Sequence, residues 1–208
     1  GVSVFHTGDF RTQKFKIKKM KILHLSDTHG LHHQIHDLPE ADVIVHSGDI
    51  SHNGTEDEVL DFLNWFIGLP YAHKIFVTGN HDLCLWDAES IEDLPANVHF
   101  LQDCGCEIDG VKFFGLAYNH PEELIPDDTD IVVTHEPPIR ILDKSAGKHW
   151  GNALLRNRVM RIKPRYHLFG HAHESFGTLE ENCTVFSNAS LLNEKNKLVR
   201  KPRLFLLG

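Results

Sequence analysis

Apolar residues in this chain gather into short runs that stop abruptly at polar residues. The runs KILHLS, DVIVHS, KIFVT, DIVVT and YHLF are too short for helices and almost continuously hydrophobic. That is the pattern of strands buried on both faces. Residues 55–67 instead repeat apolar side chains at helical spacing, with Val59, Leu60, Leu63, Phe66 and Ile67 on one face. Thr55 and Glu58 have the spacing of a capping box, and Pro70 follows the end. Residues 153–162 predict a second helix, stopped by Pro164. The later half reads as hairpins. Asp109-Gly110 is a type I′ turn signal between residues 106–108 and 111–114. Glu180-Glu181-Asn182 predicts a longer turn, and residues 203–207 predict a strand closing a sheet edge. Parallel units followed by a mixed, hairpin-rich half imply an α/β fold of two packed sheets with helices outside.

The polar residues that end the runs are not a random set. They are Asp27-Thr28-His29, Gly48-Asp49, Gly79-Asn80-His81-Asp82, His135 and Gly170-His171-Ala172-His173. In open α/β sheets, sites form where strands end and loops begin. Aspartate and histidine suit borderline divalent metals such as Mn²⁺, Fe²⁺ and Zn²⁺. Residues two apart share a face of a strand, so D-x-H and H-x-H each bring two side chains near one point. The glycines at 48, 79 and 170 are expected to permit tight turns. Any one of these motifs is weak. All five together predict a metal centre at one edge of a sheet.

The order D-x-H, G-D, G-N-H-D, H, G-H-x-H resembles the calcineurin-like metallophosphoesterases, from about Met20 to the C-terminus. His135-Glu136-Pro137-Pro138, residues 151–164, the run from Phe169 to Glu174 and Ser187-Asn188-Ala189-Ser190 are similar to the small metallophosphoesterase-domain proteins related to cyclic-nucleotide phosphodiesterases. That subfamily often reads H-G-P-P and G-N-H-E where this chain has Glu136 and Asp82. The resemblance implies a layered αββα sandwich and two divalent ions, Mn, Fe or Zn. Asp27, His29, Asp49 and His173 would hold one ion. Asp49, Asn80, His135 and His171 would hold the other, with Asp49 shared. A bridging hydroxide would then attack phosphorus. His81 would protonate the leaving group, and Asp82 would orient the His81 ring. The implied activity is hydrolysis of small phosphodiesters, cyclic nucleotides among them. A phosphomonoesterase or phosphoprotein phosphatase with the same site is the alternative, ahead of a nuclease or a non-catalytic scaffold.

Composition limits the partners. The 208 residues suffice for one domain with a sizeable core, assigned to residues 20–208 after an N-terminal extension of residues 1–19. Gly1 reads as an expression scar. No apolar run reaches the roughly 18 residues that span a membrane, and no signal peptide is visible, so a cytoplasmic location is expected. Net charge is −8, and the basic stretches are short, which argues against nucleic acid as the partner. A small phosphate ester is the expected one, and oligomeric state is not encoded in any visible pattern. The four cysteines match no zinc knuckle and read as reduced thiols. Seventeen histidines exceed what the motifs use. His52 and His120 are candidates for substrate or outer contacts. His24, His46 and His167 are expected inside strands as satisfied core groups. His32, His33 and His36 are expected on a solvated face.

Overall fold

The computed structural model describes residues 19–208; all but Lys19 of the N-terminal extension lies outside the described residues. One sheet contains β1 (Met20–Leu25), β2 (Val43–Ser47), β3 (His73–Val77) and β4 (Val98–Phe100), all parallel. The other begins with the hairpin β5 (Cys104–Ile108) and β6 (Val111–Gly115) and continues with β7 (Ile131–Val133). A two-stranded ribbon follows, β8 (Lys144–Ser145) and β9 (Lys148–His149). Then β10 (Tyr166–Phe169) joins β7, and the hairpin β11 (Gly177–Glu181) and β12 (Thr184–Asn188) completes that sheet. The last strand, β13 (Arg203–Leu207), returns antiparallel to β1 and closes the first sheet's edge as predicted. The orders are β13-β1-β2-β3-β4 and β11-β12-β10-β7-β6-β5.

Side-chain alternation explains the continuous apolar runs. Ile22, Val43, Val45, Ile75 and Val77 point between the sheets and meet Phe113, Ile131, Val133 and Leu168. Their neighbours Leu23, Leu25, Ile44 and Phe76 point outward onto α1 (Glu56–Gly68), packing on Phe62 and Phe66. Phe114, Val132, Phe169 and Phe186 likewise face α2 (Ala153–Ile162) through Leu155 and Val159. Both faces of each central strand are therefore covered, which gives the αββα layering. No helix among the described residues is long and apolar enough to cross a membrane.

The capping box forms: Thr55 Oγ1 accepts from the Glu58 N–H, and the Glu58 carboxylate accepts from the Thr55 N–H. Leu60, expected on the buried face of α1, is exposed, and Phe62 lies inside instead. The β5–β6 turn has Asp109 and Gly110 at φ 50° and 80°, as a type I′ turn needs. The β11–β12 hairpin is tighter than predicted. Its strands run on to Glu181 and Thr184, leaving only Asn182-Cys183 at the tip, at φ 53° and 68°. Cys183, which is not a usual residue for a positive φ, hid the two-residue tip from the sequence.

Candidate metal centre

Each motif sits at the carboxyl end of a strand. Asp27 and His29 follow β1, Asp49 follows β2, Asn80 follows β3, His135 follows β7, and His171 and His173 follow β10. The two sheets join at this edge. The Ser26 N–H donates to the Ala189 carbonyl at 3.0 Å, and the Leu191 N–H donates to the Ser26 carbonyl at 3.0 Å. The chain then turns sharply. Asp27, His29, Asp49 and His171 all adopt left-handed φ values, 54°, 42°, 56° and 66°. Such non-glycine residues are strained and concentrate at functional sites. These turns, not regular strand alternation, aim Asp27 and His29 at one point.

All three motif glycines are needed for space, and Gly48 also for its φ of 94°; Gly79 and Gly170 are the tightest. A Cβ on Gly79 would stand 2.2 Å from Asp49 Oδ1. One on Gly170 would stand 2.0 Å from Ser26 Oγ and 2.2 Å from Asp27 Oδ2. Neither has a positive φ, so the expected reason, tight turning, gives way to close approach.

The side chains form two groups of predicted ligands, and His81 also brings a donor atom within 4.8 Å of those of His29 and Asp49. Asp27, His29 and His173 have donor atoms within 4.8 Å of one another, and so do Asp49, His135 and His171. His173 Nε2 is 3.1 Å from Asp27 Oδ1. Asp49 Oδ2 lies 3.5 Å from His29 Nε2 and 3.2 Å from His135 Nε2, so it is within reach of both groups. Asn80 Oδ1 lies 3.0 Å from His135 Nε2 and 2.8 Å from His171 Nδ1.

The arrangement suits cations. The Nδ1 atoms of His29, His135 and His173 face the backbone carbonyls of Ser51, Ser47 and Asn193 at 3.2, 2.9 and 3.1 Å. A neutral ring that donates Nδ1–H keeps a lone pair on Nε2. Those lone pairs face carboxylate and amide oxygens, which are also acceptors. Acceptors gathered on acceptors need a positive charge among them. His29 Nε2 is buried without any hydrogen-bond partner. The nitrogen and oxygen set fits a divalent ion of the Mn, Fe or Zn type, and carbonyl-oriented imidazoles are usual around one.

The electrostatics show the same demand. Burial would raise the Asp27 and Asp49 carboxyls, but facing histidines, His173 and His135 foremost, hold both below the usual range. Burial would lower His135, but Asp49 and Asp27 lift it to about 10. His171 is pushed down to about 4 by burial and by His135.

Asp82 does not orient the His81 ring. It is fully buried and accepts the backbone N–H groups of Asp49, Ile50, Ser51 and Gly79, at 3.0, 3.3, 3.0 and 2.8 Å, and the Ser51 hydroxyl at 2.7 Å. It ties the Asn80 loop to the Asp49 loop. The carbonyl of His52 orients His81 instead, accepting from Nδ1 at 2.8 Å. His52 also lines the mouth, whereas His120 pairs with Asp103 at 2.5 Å in a separate cleft beside Trp86 and Tyr118.

The strand histidines are core groups, as expected, but only His24 is bonded through both ring nitrogens; Nδ1 of His46 and of His167 has no hydrogen-bond partner. His24 bridges Ser187 and Ser47 at 2.9 Å each, His46 meets Thr28 at 3.0 Å, and His167 meets Thr134 at 2.9 Å. Burial pushes all three down to about 3. His32 corrects the expectation of a solvated face: it is buried against Phe62 and Trp65, while His33 and His36 are exposed. Sequence reasoning gave no role to Ser190, whose hydroxyl donates to Asp27 Oδ2 at 2.8 Å. Its position just after β12, at another strand end, was the available signal.

The calcineurin-like phosphoesterase family profile matches residues 20–175. The chain belongs to that family, the metal-dependent hydrolases of phosphate esters. It is 35% identical to the Caenorhabditis elegans UPF0046 protein K07C11.7, over 90% of this chain and 75% of that protein. It is 31% identical to human Metallophosphoesterase domain-containing protein 1, over 86% of this chain and 68% of that protein. The crystal structure of TT1561 from Thermus thermophilus shares the fold, with a TM-score of 0.60 over 90% of this chain and 99% of that one at 14% identity.

Proposed function

We propose that this chain hydrolyses small phosphodiesters, cyclic nucleotides included, at a binuclear divalent-metal centre. Asp27, His29, Asp49 and His173 hold one ion, and Asp49, Asn80, His135 and His171 hold the other. When bound, such a pair supplies a water of lowered pKa and neutralises phosphoryl oxygens. His81 holds a proton for the leaving oxygen. Its Nδ1–H stays on the His52 carbonyl, so the ring keeps its orientation as the other nitrogen gains or loses a proton. Asp82 fixes the spacing of the Asp49 and Asn80 loops and touches no substrate.

The observation that carries the diester reading is the charge of the mouth. The cleft, about 380 Å³, is lined by His29, Asp49, His52, Asn80, His81, Ser145, His171, His173, Glu174, Glu194 and Asn196. It has two glutamates and no lysine or arginine. A phosphomonoester near neutral pH carries about −1.5 to −2 charge and gains more than a diester from cationic side chains beside the ions. A diester carries a single negative charge and needs fewer.

The test is a metal-reconstituted comparison of bis(p-nitrophenyl) phosphate, p-nitrophenyl phosphate, and 2′,3′- and 3′,5′-cyclic nucleotides. The expected result is higher kcat/KM on the diesters. Faster turnover of p-nitrophenyl phosphate would overturn the diester reading and leave the metal centre standing.

A further inference from the structure

Outside the catalytic mouth, His32 and His33, in a short 3-10 turn (His32–Gln34), face Asp61 on α1. His33 Nε2 stands 3.0 Å from Asp61 Oδ1 and 3.2 Å from Oδ2. His32 Nε2 stands 3.1 Å from Oδ2. All three donor atoms lie within 4.8 Å of one another. We propose that His32, His33 and Asp61 form a second, separate binding site for a borderline transition metal such as Zn²⁺.

The buried partner carries the argument. The His32 side chain has no solvent exposure, and neither ring nitrogen makes a hydrogen bond. Nε2 faces only the Asp61 carboxylate, at 3.1 Å and off the line of a good hydrogen bond, and Nδ1 faces no polar group. An imidazole nitrogen sealed from water and left without a bond is costly. A metal ion at the focus of the two imidazoles and the carboxylate would give the buried Nε2 a partner. The ring packs edge-to-face with Phe62 and tilted against Trp65, at 5.6 and 5.1 Å between centroids, so it cannot turn outward to water without leaving the core. Burial also keeps it neutral, with a lone pair to give.

The donor set decides the class of ion. Two imidazoles and one carboxylate suit zinc, copper or nickel rather than magnesium or calcium. Three protein ligands leave a fourth tetrahedral position open. His33 and Asp61 are more than half exposed, so the ion reaches the site from solvent. Residue 32 lies three positions after the candidate ligand His29. Asp61 also lines a cleft of about 440 Å³ shared with His29 and His52. An ion here clamps the loop leaving the catalytic ligands onto α1.

The probe is Zn²⁺ alone, with bound zinc measured by elemental analysis after equilibrium dialysis. The proteins are the full chain, His33→Gln and Asp61→Asn. Both substituted side chains are exposed, so folding is retained. Each variant is expected to lose one zinc ion per chain while hydrolysis of bis(p-nitrophenyl) phosphate stays within about twofold, as for surface changes away from a site. The same comparison in an Asp49→Asn background reads the site without the catalytic pair. There, His33→Gln should remove the remaining zinc, together with the zinc-induced rise in Tm that binding to the native state produces. Equal zinc content in the full chain and both variants overturns the proposal and leaves a hydrogen-bonded His–Asp pair. Loss of zinc together with loss of hydrolysis also overturns it, because the cluster would then belong to the catalytic centre.

Discussion

One contribution to the acid sensitivity of this fold can be worked out at His167. Its ring is fully buried between Phe169 and Phe186, and burial pushes its pKa from 6.5 to about 3. The unfolded chain therefore binds a proton below pH 6.5 that the native chain refuses until about pH 3. In that window the unfolded state holds more protons, so stability falls as pH falls. At pH 5 the linkage comes to about 2 kcal/mol, and at pH 7.5 it is close to zero. Against a total stability of roughly 5–15 kcal/mol, one side chain is visible. The variant His167→Gln keeps a polar group near Thr134 and cannot titrate. In urea unfolding with a chelator present, it should be about 1 kcal/mol less stable than the native chain at pH 7.5, from the altered hydrogen bond. At pH 5 it should have gained about 2 kcal/mol on the native chain and overtaken it. A stability difference that stays constant between pH 7.5 and 5 would refute the reasoning, because His167 would then titrate alike in both states.

Asp49→Asn should deplete bound metal in both groups, whereas Asp27→Ala should deplete one, because only Asp49 lies within reach of both; equal metal per chain in the two variants counts against the shared role. His81→Ala should keep its metal and lose roughly 10²–10⁴-fold in rate, more for ribose-type leaving groups than for nitrophenolate. Equal losses on both ester types would make His81 a positioning residue. Gly170→Ala should drive a methyl group into Ser26 and Asp27, costing about 1–3 kcal/mol in thermal or urea unfolding and lowering metal content. Unchanged metal and stability would show that this junction yields more readily than its packing implies.

The elements that were legible in the sequence are those whose cause is local. Thr55 and Glu58 bond across three residues, so the start of α1 could be read directly. The Asp109-Gly110 turn carries its own backbone preference. The five apolar runs announced strands covered on both faces, and the polar residues ending them announced where the chemistry would gather. Leu60 and Phe62 mark the limit of that reading: both fit a helical stripe loosely, and only the angle at which α1 meets the sheet decides which is buried.

What the sequence alone determined, then, is most of the strands, though not β4 or the β8–β9 ribbon, together with the layered class and the seven candidate ligand residues. Only the tertiary structure decided how they meet. The Asp82 carboxylate turned out to knit two loops together because three backbone N–H groups of the distant Asp49–Ser51 segment converge on it beside the local Gly79 N–H. Gly79 and Gly170 are required by backbones and side chains that approach from other strands, which a local motif does not reveal. Ser190 reaches Asp27 across 163 positions of sequence, and His32 enters the core only because α1 brings Phe62 and Trp65 over it. The physical reason is common to all of these. Periodicity and caps act over a few residues, whereas burial, steric exclusion and ligand convergence depend on the packing of one sheet against another.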